Sequence, residues 1–326
     1  MAGAPLSYVL PLRRWRFDPD QELVDYLAWL GRRADAIVVD GSDPEVFAAH
    51  GRAFGALVRH MPVDDDLHGR YGKVNGVVTG LRAARHERGV VADDDVRYDD
   101  GGLERMAVLL EWADLVRPQN YFDPLPWHAR WDTARSLVNR AFGADFPGTL
   151  GVCRSRVLAA GGYDGDCLFE NLELMRTVEV MGGRVVSPLD FYVRRLPPPA
   201  GHFWSQRVRQ AYDDFALPAR MAAELAVVPG MAALVARWGL EALALFALLS
   251  VATAEVGRRR AGGAAVFPPS CSLFAPAWLA ERGVCAWLAV RERVVRGGVP
   301  YAGTVIAKAA NSRKELKRRL VRAPVG

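Results

Sequence analysis

The sequence predicts an α/β protein: a Rossmann-like domain built on a mostly parallel mixed sheet, followed by an apolar helical region. Three observations carry this expectation. Short apolar runs alternate with stretches of helical period through the first two thirds of the chain. One run, Val90-Val91-Ala92, ends in three consecutive carboxylates, Asp93-Asp94-Asp95. After Arg220 charged residues thin out, and Ala, Leu, Val and Phe dominate.

The elements follow in order. Ser7 to Leu12 reads as a first strand, stopped by Pro11, which cannot donate to a ladder. Leu23, Tyr26, Leu27 and Leu30 recur at helical spacing. Ala36 to Val39 is continuously apolar, as in a strand buried on both faces, and ends in Asp40-Gly41. Ala56 to His60 is a candidate third strand. Val74, Val77, Val78 and Leu81 stripe a helix between Gly72 and Arg85, which leads into the run that ends in the aspartates. Such an alternation gives parallel strands with helices on both faces, and ligands bind at the carboxyl edge of such sheets. Adjacent carboxylates repel. A divalent cation would relieve that cost; a solvated acidic turn is the alternative.

Further strands are expected at Asp114–Pro118, after Pro147-Gly148, and finally at Arg184–Pro188. Gln119 to Trp131 is dense in aromatics and holds Pro124 and Pro126, which predicts a loop. Its aromatic faces suit sugar rings, with ordinary hydrophobic packing as the alternative. Ser136–Ala141 is read as a helix. A helix begins near Leu168 and ends at Gly182-Gly183, with Glu170 and Glu173 on one face. His202 to Ala216 reads as another helix, carrying Gln206, Arg207, Arg209 and Tyr212.

Between Met231 and Val256 only Arg237, Glu241 and Glu255 are charged. The longest uncharged run, Ala242–Ala254, has thirteen residues; a spanning helix wants about 20. A second apolar stretch, Ala264–Val290, is broken by prolines and by Glu281-Arg282. One transmembrane helix or a membrane-lying hairpin is expected, with Arg237 and Glu241 paired across one turn. A soluble helical hairpin is the alternative. The net charge of +5 resides beyond Asn311, where six Lys/Arg stand against one Glu. That tail suits anionic lipid or plain solvation. Without interleaved aromatics it does not support nucleic-acid binding. Four scattered cysteines form no Cys-x-x-Cys pair and suit a reducing compartment. The first residues show no leader pattern. The expected division is 1–220, a catalytic domain; 221–310, an apolar membrane-associated region; and 311–326, a basic tail.

Several motifs stand in a shared order. They are Val38-Val39-Asp40-Gly41-Ser42-Asp43, Gly72-Lys73 with Gly80-Leu81-Arg82-Ala83-Ala84, Asp93-Asp94-Asp95-Val96, Ala159-Ala160-Gly161-Gly162-Tyr163-Asp164, and Gln206-Arg207-Val208-Arg209-Gln210. From Tyr8 to about Tyr212 the chain resembles the inverting family 2 glycosyltransferases, whose nucleotide-sugar-binding domain has the GT-A fold. Its membrane-proximal end looks like bacterial members and ceramide-glucosyltransferase-like enzymes. The resemblance implies a metal-dependent transfer from a UDP- or GDP-sugar to a hydroxyl of a lipid-linked or small-molecule acceptor, at the cytoplasmic face of the cell membrane. It implies Mg2+ or Mn2+ on Asp93 and Asp95, with Asp94 able to replace either. Donor contacts are expected from Pro11, Asp40, Lys73, Asp93, Asp94 and Arg209. In the family Asp40 would hold the uracil or ribose. Acceptor contacts are expected from Trp127, His128, Asn171 and Gln206; a structural histidine is the alternative for His128, and His202 is a candidate cap on the site.

Two departures bear on mechanism. The family's catalytic Glu-Asp pair is Glu170-Asn171 here, and an amide cannot take a proton at neutral pH. The expected base is therefore Glu170, with Glu173 second, their burial near Leu168 and Phe169 raising the carboxyl pKa. A helix-start carboxylate held by the dipole is the alternative for each. Gln210 stands where the family has Trp. Asn171 also motivates a rival reading, a catalytically silent nucleotide-sugar-binding protein at the membrane. A sugar-phosphate nucleotidyltransferase would need a Gly-rich loop after the first strand, and Leu10 to Trp15 has no glycine.

Overall fold

The computed structural model describes residues 5–301 and 303–322. The leader expectation and the end of the basic tail lie outside the described residues. The chain forms two compact units, each discontinuous in sequence, whereas composition divides it linearly. The first unit holds residues 5–118, 147–188 and 311–322; the second holds Gln119–Phe146 and Leu189–Ala310.

The first unit begins β1 (Ser7–Leu12), α1 (Gln21–Leu30), β2 (Asp35–Asp40), α2 (Pro44–Phe54), β3 (Arg59–Pro62), α3 (Gly72–Ala83), β4 (Arg88–Ala92), β5 (Val96–Arg97), α4 (Asp100–Leu109) and β6 (Leu115–Val116). Here β7 (Gln119–Phe122) and α5 (Trp127–Phe142) of the second unit intervene. The chain then returns through β8 (Thr149–Cys153), α6 (Arg154–Ala159), α7 (Glu170–Val180) and β9 (Val185–Val186).

Seven strands form one sheet in the order β3-β2-β1-β4-β8-β6-β9. Every pairing is parallel except those of β8, which runs antiparallel to β4 and β6. The sheet is thus mostly parallel and mixed, as expected. Tyr8, Val9, Ile37, Val38, Val90 and Ala92 are all buried, because strands covered on both faces need apolar side chains on both. Because β1, β2 and β4 are parallel, Leu12, Asp40 and Ala92 all lie at the carboxyl edge.

Three local expectations need correcting. Pro11 does not stop β1, which runs on to Leu12; the β4 ladder ends at Val9, so a residue lacking an N–H is tolerated beyond it. The third strand starts at Arg59, because Ala56–Val58 form the turn after α2. Helix α2, with Pro44 in its first turn and Val46, His50 and Phe54 inward, was missed.

Helix α3 lies against β1 and β2. A Cβ at Gly80 would stand 2.3 Å from Val9 Cγ1, and one at Gly76 would stand 3.0 Å from Pro11 Cβ. These glycines, four apart, let the helix sink onto the sheet. Lys73 shares their face from the first turn.

The second unit corrects the aromatic loop. Residues 119–131 supply β7 and the first turn of α5, which starts directly after Pro126. It continues with β10 (Tyr192–Arg195), parallel to β7, then α8 (Ala200–Ser205) and α9 (Arg207–Tyr212). The single helix expected over His202–Ala216 is therefore broken at Gln206 and ends in a 3-10 turn. Then come α10 (Pro218–Trp238), α11 (Glu241–Arg259), α12 (Ala275–Arg296) and the antiparallel pair β11 (Val299–Tyr301) and β12 (Thr304–Ile306). Its core gathers Leu137, Ala254, Phe267, Cys271 and Trp278. At Gly257 a Cβ would fall 1.8 Å from the Leu137 carbonyl oxygen, so α11 crosses α5 in direct backbone contact.

Two helical segments, Pro218–Trp238 and Pro269–Arg296, are long and apolar enough to cross a membrane. Within the second, Glu281 accepts from Arg207 at 2.8 Å and Arg282 faces Asp214 at 3.7 Å. By contrast Trp238 at the end of α10, Leu240 just before α11, and Leu245, Leu248 and Leu249 on α11 are exposed. Gly239, at φ +65°, separates those helices, so Arg237 and Glu241 do not share a helical face. The chain closes with α13 (Arg313–Arg322) in the first unit, its Leu316 buried and Arg313 paired to Glu179 at 2.7 Å.

Gly80→Ala should lower stability by about 1–3 kcal/mol, the usual cost of overpacking. Urea denaturation would check this, with a lower midpoint and an unchanged slope expected.

Candidate active site

The aspartate triplet lies on the β-turn between β4 and β5, closed by Val96 N–H donating to the Asp93 carbonyl at 3.1 Å. Its carboxylates already have cationic neighbours. Lys73 Nζ stands 2.5 Å from Asp93 Oδ1 and 2.5 Å from Glu170 Oε1. Arg14 Nη2 donates to Asp94 Oδ2 at 2.5 Å. Lys73 is 17% exposed, Asp93 23% and Glu170 9% by side chain, so the trio is largely withdrawn from water. Burial works against the charged form of Lys73, but the Asp93 and Glu170 carboxylates outweigh it and hold the ammonium pKa well above its usual value. Tyr163 borders the group: burial first, and the Glu170 charge second, push its phenol up. Asp95 is half-buried on the same turn.

A hollow of about 180 Å³ opens beside the end of β1, lined by Leu12, Arg14, Phe17, Asp20 and His50 among others.

Asp40 ends β2 with its side chain fully buried. Oδ2 accepts from His50 Nδ1 at 2.7 Å and from His60 Nε2 at 3.0 Å, and Oδ1 accepts from Ser42 N–H at 2.9 Å. Burial alone would raise its pKa, but hydrogen bonds from His60, Ser42 and His50 hold it far below the usual carboxylate range.

Glu173 is fully buried, with Oε2 accepting Asn311 N–H at 2.7 Å and Oε1 accepting Asn311 Nδ2 at 2.8 Å. Asn171 Nδ2 donates to the Pro147 carbonyl at 3.0 Å. Pro11 is half-buried within β1.

The remaining expected residues belong to the second unit. Trp127 opens α5 and is 46% exposed, packed 6.1 Å from the ring of the equally exposed Trp204. His128 turns inward, its Nε2–H donating to the Pro198 carbonyl at 2.8 Å. His202 is exposed on α8. Gln206 lies half-buried at the α8–α9 break. The Arg209 guanidinium lies 5.3 Å from the Tyr301 ring centre. Its neighbour Arg207 is buried between Asp132 and Glu281, at 3.1 and 2.8 Å.

Sequence reasoning missed Arg14, His50, His60 and Asn311, and it quoted Tyr163 only within a motif, without a role of its own. Their partners are remote in the chain, and no local spacing signals them.

No protein-family model matches the sequence, and no curated protein matches it. Solved structures do. The mannosyltransferase PcManGT from Pyrobaculum calidifontis, in complex with GDP-Man and Mn2+, aligns at TM-score 0.50 and 17% identity over 88% of this chain and 89% of that one. TarS of S. aureus (residues 1–349), in complex with UDP-GlcNAc, gives 0.43 and 11% identity over 61% and 60%. Glucosyl-3-phosphoglycerate synthase from Mycobacterium tuberculosis gives 0.41 and 18% identity over 61% and 74%. The likeness to the mannosyltransferase shows the fold alone: an α/β architecture with a mixed sheet.

The depressed Asp40 pKa means its stabilisation is present above the unfolded value, about 3.9, and is lost as pH falls through the folded one. Asp40→Asn should therefore be less stable than the parent at pH 7, with the gap closing below about pH 4. Urea midpoints measured between pH 7 and 2.5 test this.

Proposed function

We propose that the protein is a metal-dependent inverting glycosyltransferase that moves a sugar from a nucleoside diphosphate sugar to an acceptor hydroxyl. The observation that carries this reading is the Lys73 ammonium shared by Asp93, at the tip of β4, and Glu170, at the start of α7. It joins the acidic turn to a buried carboxylate at the edge where open α/β sheets take ligands. The fold likeness to a mannosyltransferase solved with GDP-Man and Mn2+ supports it.

Three successive carboxylates on one turn offer only hard oxygen donors, and that donor set fits Mg2+ or Mn2+. Asp93 and Asp95 would hold the ion, which when bound neutralises charge on the departing diphosphate. Glu170 takes the proton of the acceptor hydroxyl as its oxygen bonds to the anomeric carbon and the bond to the diphosphate oxygen breaks. Lys73 keeps Glu170 and Asp93 at a fixed spacing. Arg14, beside Asp94, adds a second cation for phosphate oxygens, and the hollow it lines takes the nucleoside. The exposed leucines of α10 and α11 bring the protein to the cytoplasmic face of a membrane and favour a lipid-linked acceptor.

A panel of UDP- and GDP-sugars with Mn2+, on detergent-solubilised protein, should show nucleoside diphosphate release that EDTA abolishes. Donor binding without turnover would instead establish the silent binding protein. Glu170→Gln should cut turnover by about a hundredfold, the typical worth of a general base; unchanged turnover would move that role elsewhere. The double variant Leu240→Glu, Leu248→Glu should lose co-flotation with lipid vesicles while keeping its circular dichroism. Retained flotation would remove these helices as the membrane contact.

A further inference from the structure

Asp164, Cys167 and Glu173 bring three ligand-type atoms within 4.8 Å of one another, an arrangement that could hold a metal ion. An amide nitrogen stands among them instead. Asn311 Nδ2 donates to Asp164 Oδ2 at 2.8 Å, to Glu173 Oε1 at 2.8 Å and to Cys167 Sγ at 3.4 Å. The backbone of Asn311 completes the grip: its N–H donates to Glu173 Oε2, and its carbonyl accepts from Arg176 Nη1, both at 2.7 Å. The residue is fully buried. The cluster is therefore a socket for one asparagine, not a centre awaiting an ion.

The socket's location gives it a role. Helix α7 begins at Glu170, and its N-cap Phe169 provides no side-chain hydrogen bond to the first turn. That turn needs external restraint. Asn311 supplies it at Glu173 and, one turn on, at Arg176. It also grips the loop before the helix through Asp164 and Cys167. The same loop reaches the helix that carries Lys73: Gly165 O accepts from Tyr71 N–H at 2.7 Å, and Asp166 Oδ1 accepts from Arg70 N–H at 3.2 Å. Gly69 and Gly165 pack so closely that a Cβ at either would stand 2.9 Å from the other's Cα. One loop thus abuts the starts of both helices whose side chains meet at the Lys73–Glu170 pair. Arg319 of α13 pairs with Asp164 and tightens the same joint.

We propose that Asn311 is a positioning residue: it clamps the 164–167 loop to the first two turns of α7 and so fixes Glu170 against Lys73 and Asp93. The role rests on the transferase reading for its kinetic consequence, but not for its structural one. Asn311 is fully buried and lies outside the aspartate turn.

Full-length Asn311→Ala decides the matter by two measurements. In sugar transfer, kcat should fall about tenfold to a hundredfold while donor KM changes by less than about twofold, as expected when a reacting group is misplaced but binding is intact. In hydrogen–deuterium exchange, residues 163–175 and 69–75 should exchange faster while β1, β2 and β4 do not. A folded variant with parental kcat and parental exchange overturns the proposal. So does a loss of kcat that only tracks the folded fraction, with exchange rising everywhere. Should Asn311→Ala fail to fold, Glu173→Gln keeps the side-chain shape and must show the same split of kcat from KM; parental kcat there counts against the proposal. If the parent protein transfers no sugar from any donor, the transferase reading fails, and the exchange pattern alone still decides the clamp.

Discussion

The first unit depends on one buried ammonium. A withdrawn charge is tolerated only with a partner, and Lys73 has two, from elements far apart in the chain. Satisfying it requires α3 to lie low on β1 and β2, so that its first turn reaches the carboxyl edge, and Gly76 and Gly80 permit that approach. It also requires α7 to begin where Glu170 can reach the tip of β4. The sheet order, the α3 glycines and the start of α7 are thus three conditions on one contact. That contact holds a cation and two carboxylates in fixed relation.

Much of this was legible in the sequence, and the reasons differ by element. Strands β1, β2 and β4 announce themselves because double-sided burial demands unbroken apolar runs. The aspartates at the tip of β4 and Glu170 at a helix start were readable as candidates. Asp40 shows the limit of such reading. It follows an apolar run just as Asp93 does, yet it ends inside the fold, because His50 from α2 and His60 from β3 close over it. Nothing local distinguishes the two aspartates. Glu170 and Glu173 make the same point on one helix: similar spacing and face, but partners supplied by Lys73 in one case and Asn311 in the other. The aromatic segment failed for a different reason. Its prolines were read as loop signals, whereas Pro126 immediately precedes the first turn of α5, a position where a fixed φ costs a helix nothing.

In the second unit, composition alone could not separate a lipid-facing helix from a core helix, since both are rich in Ala, Leu and Val. Helix α12 buries Arg282 against Asp214 and pairs Glu281 with Arg207, contacts that only a protein interior provides. The motif residue Arg207 is spent on that interior, which leaves Arg209 as the more exposed cation of the pair. Helices α10 and α11 also pair charges, Glu224 with Arg220 at 3.2 Å and Glu255 with Arg258 at 2.7 Å, but they expose apolar side chains as well. Their leucines stand in the open around Gly239, and α11 commits to protein where Gly257 lets it meet α5.

Helix α7 serves two unrelated partners, and that explains why the chain returns to the first unit after leaving it. A helix start without its own cap frays, because its first N–H groups lack acceptors and its side chains lack anchors. A reacting carboxylate placed on such a turn would wander. Local sequence could have supplied a Ser or Asp cap at Phe169, but Glu170 must then share its surroundings with a second polar group competing for Lys73. Anchoring from behind avoids that competition. Glu173 and Arg176 take their restraint from Asn311, while Glu170 is held by Lys73 with Tyr163 alongside. The residues after the apolar region are then part of the machinery that holds the site, and their basic side chains, Arg313 on Glu179 and Arg319 on Asp164, serve the same joint before they serve any surface.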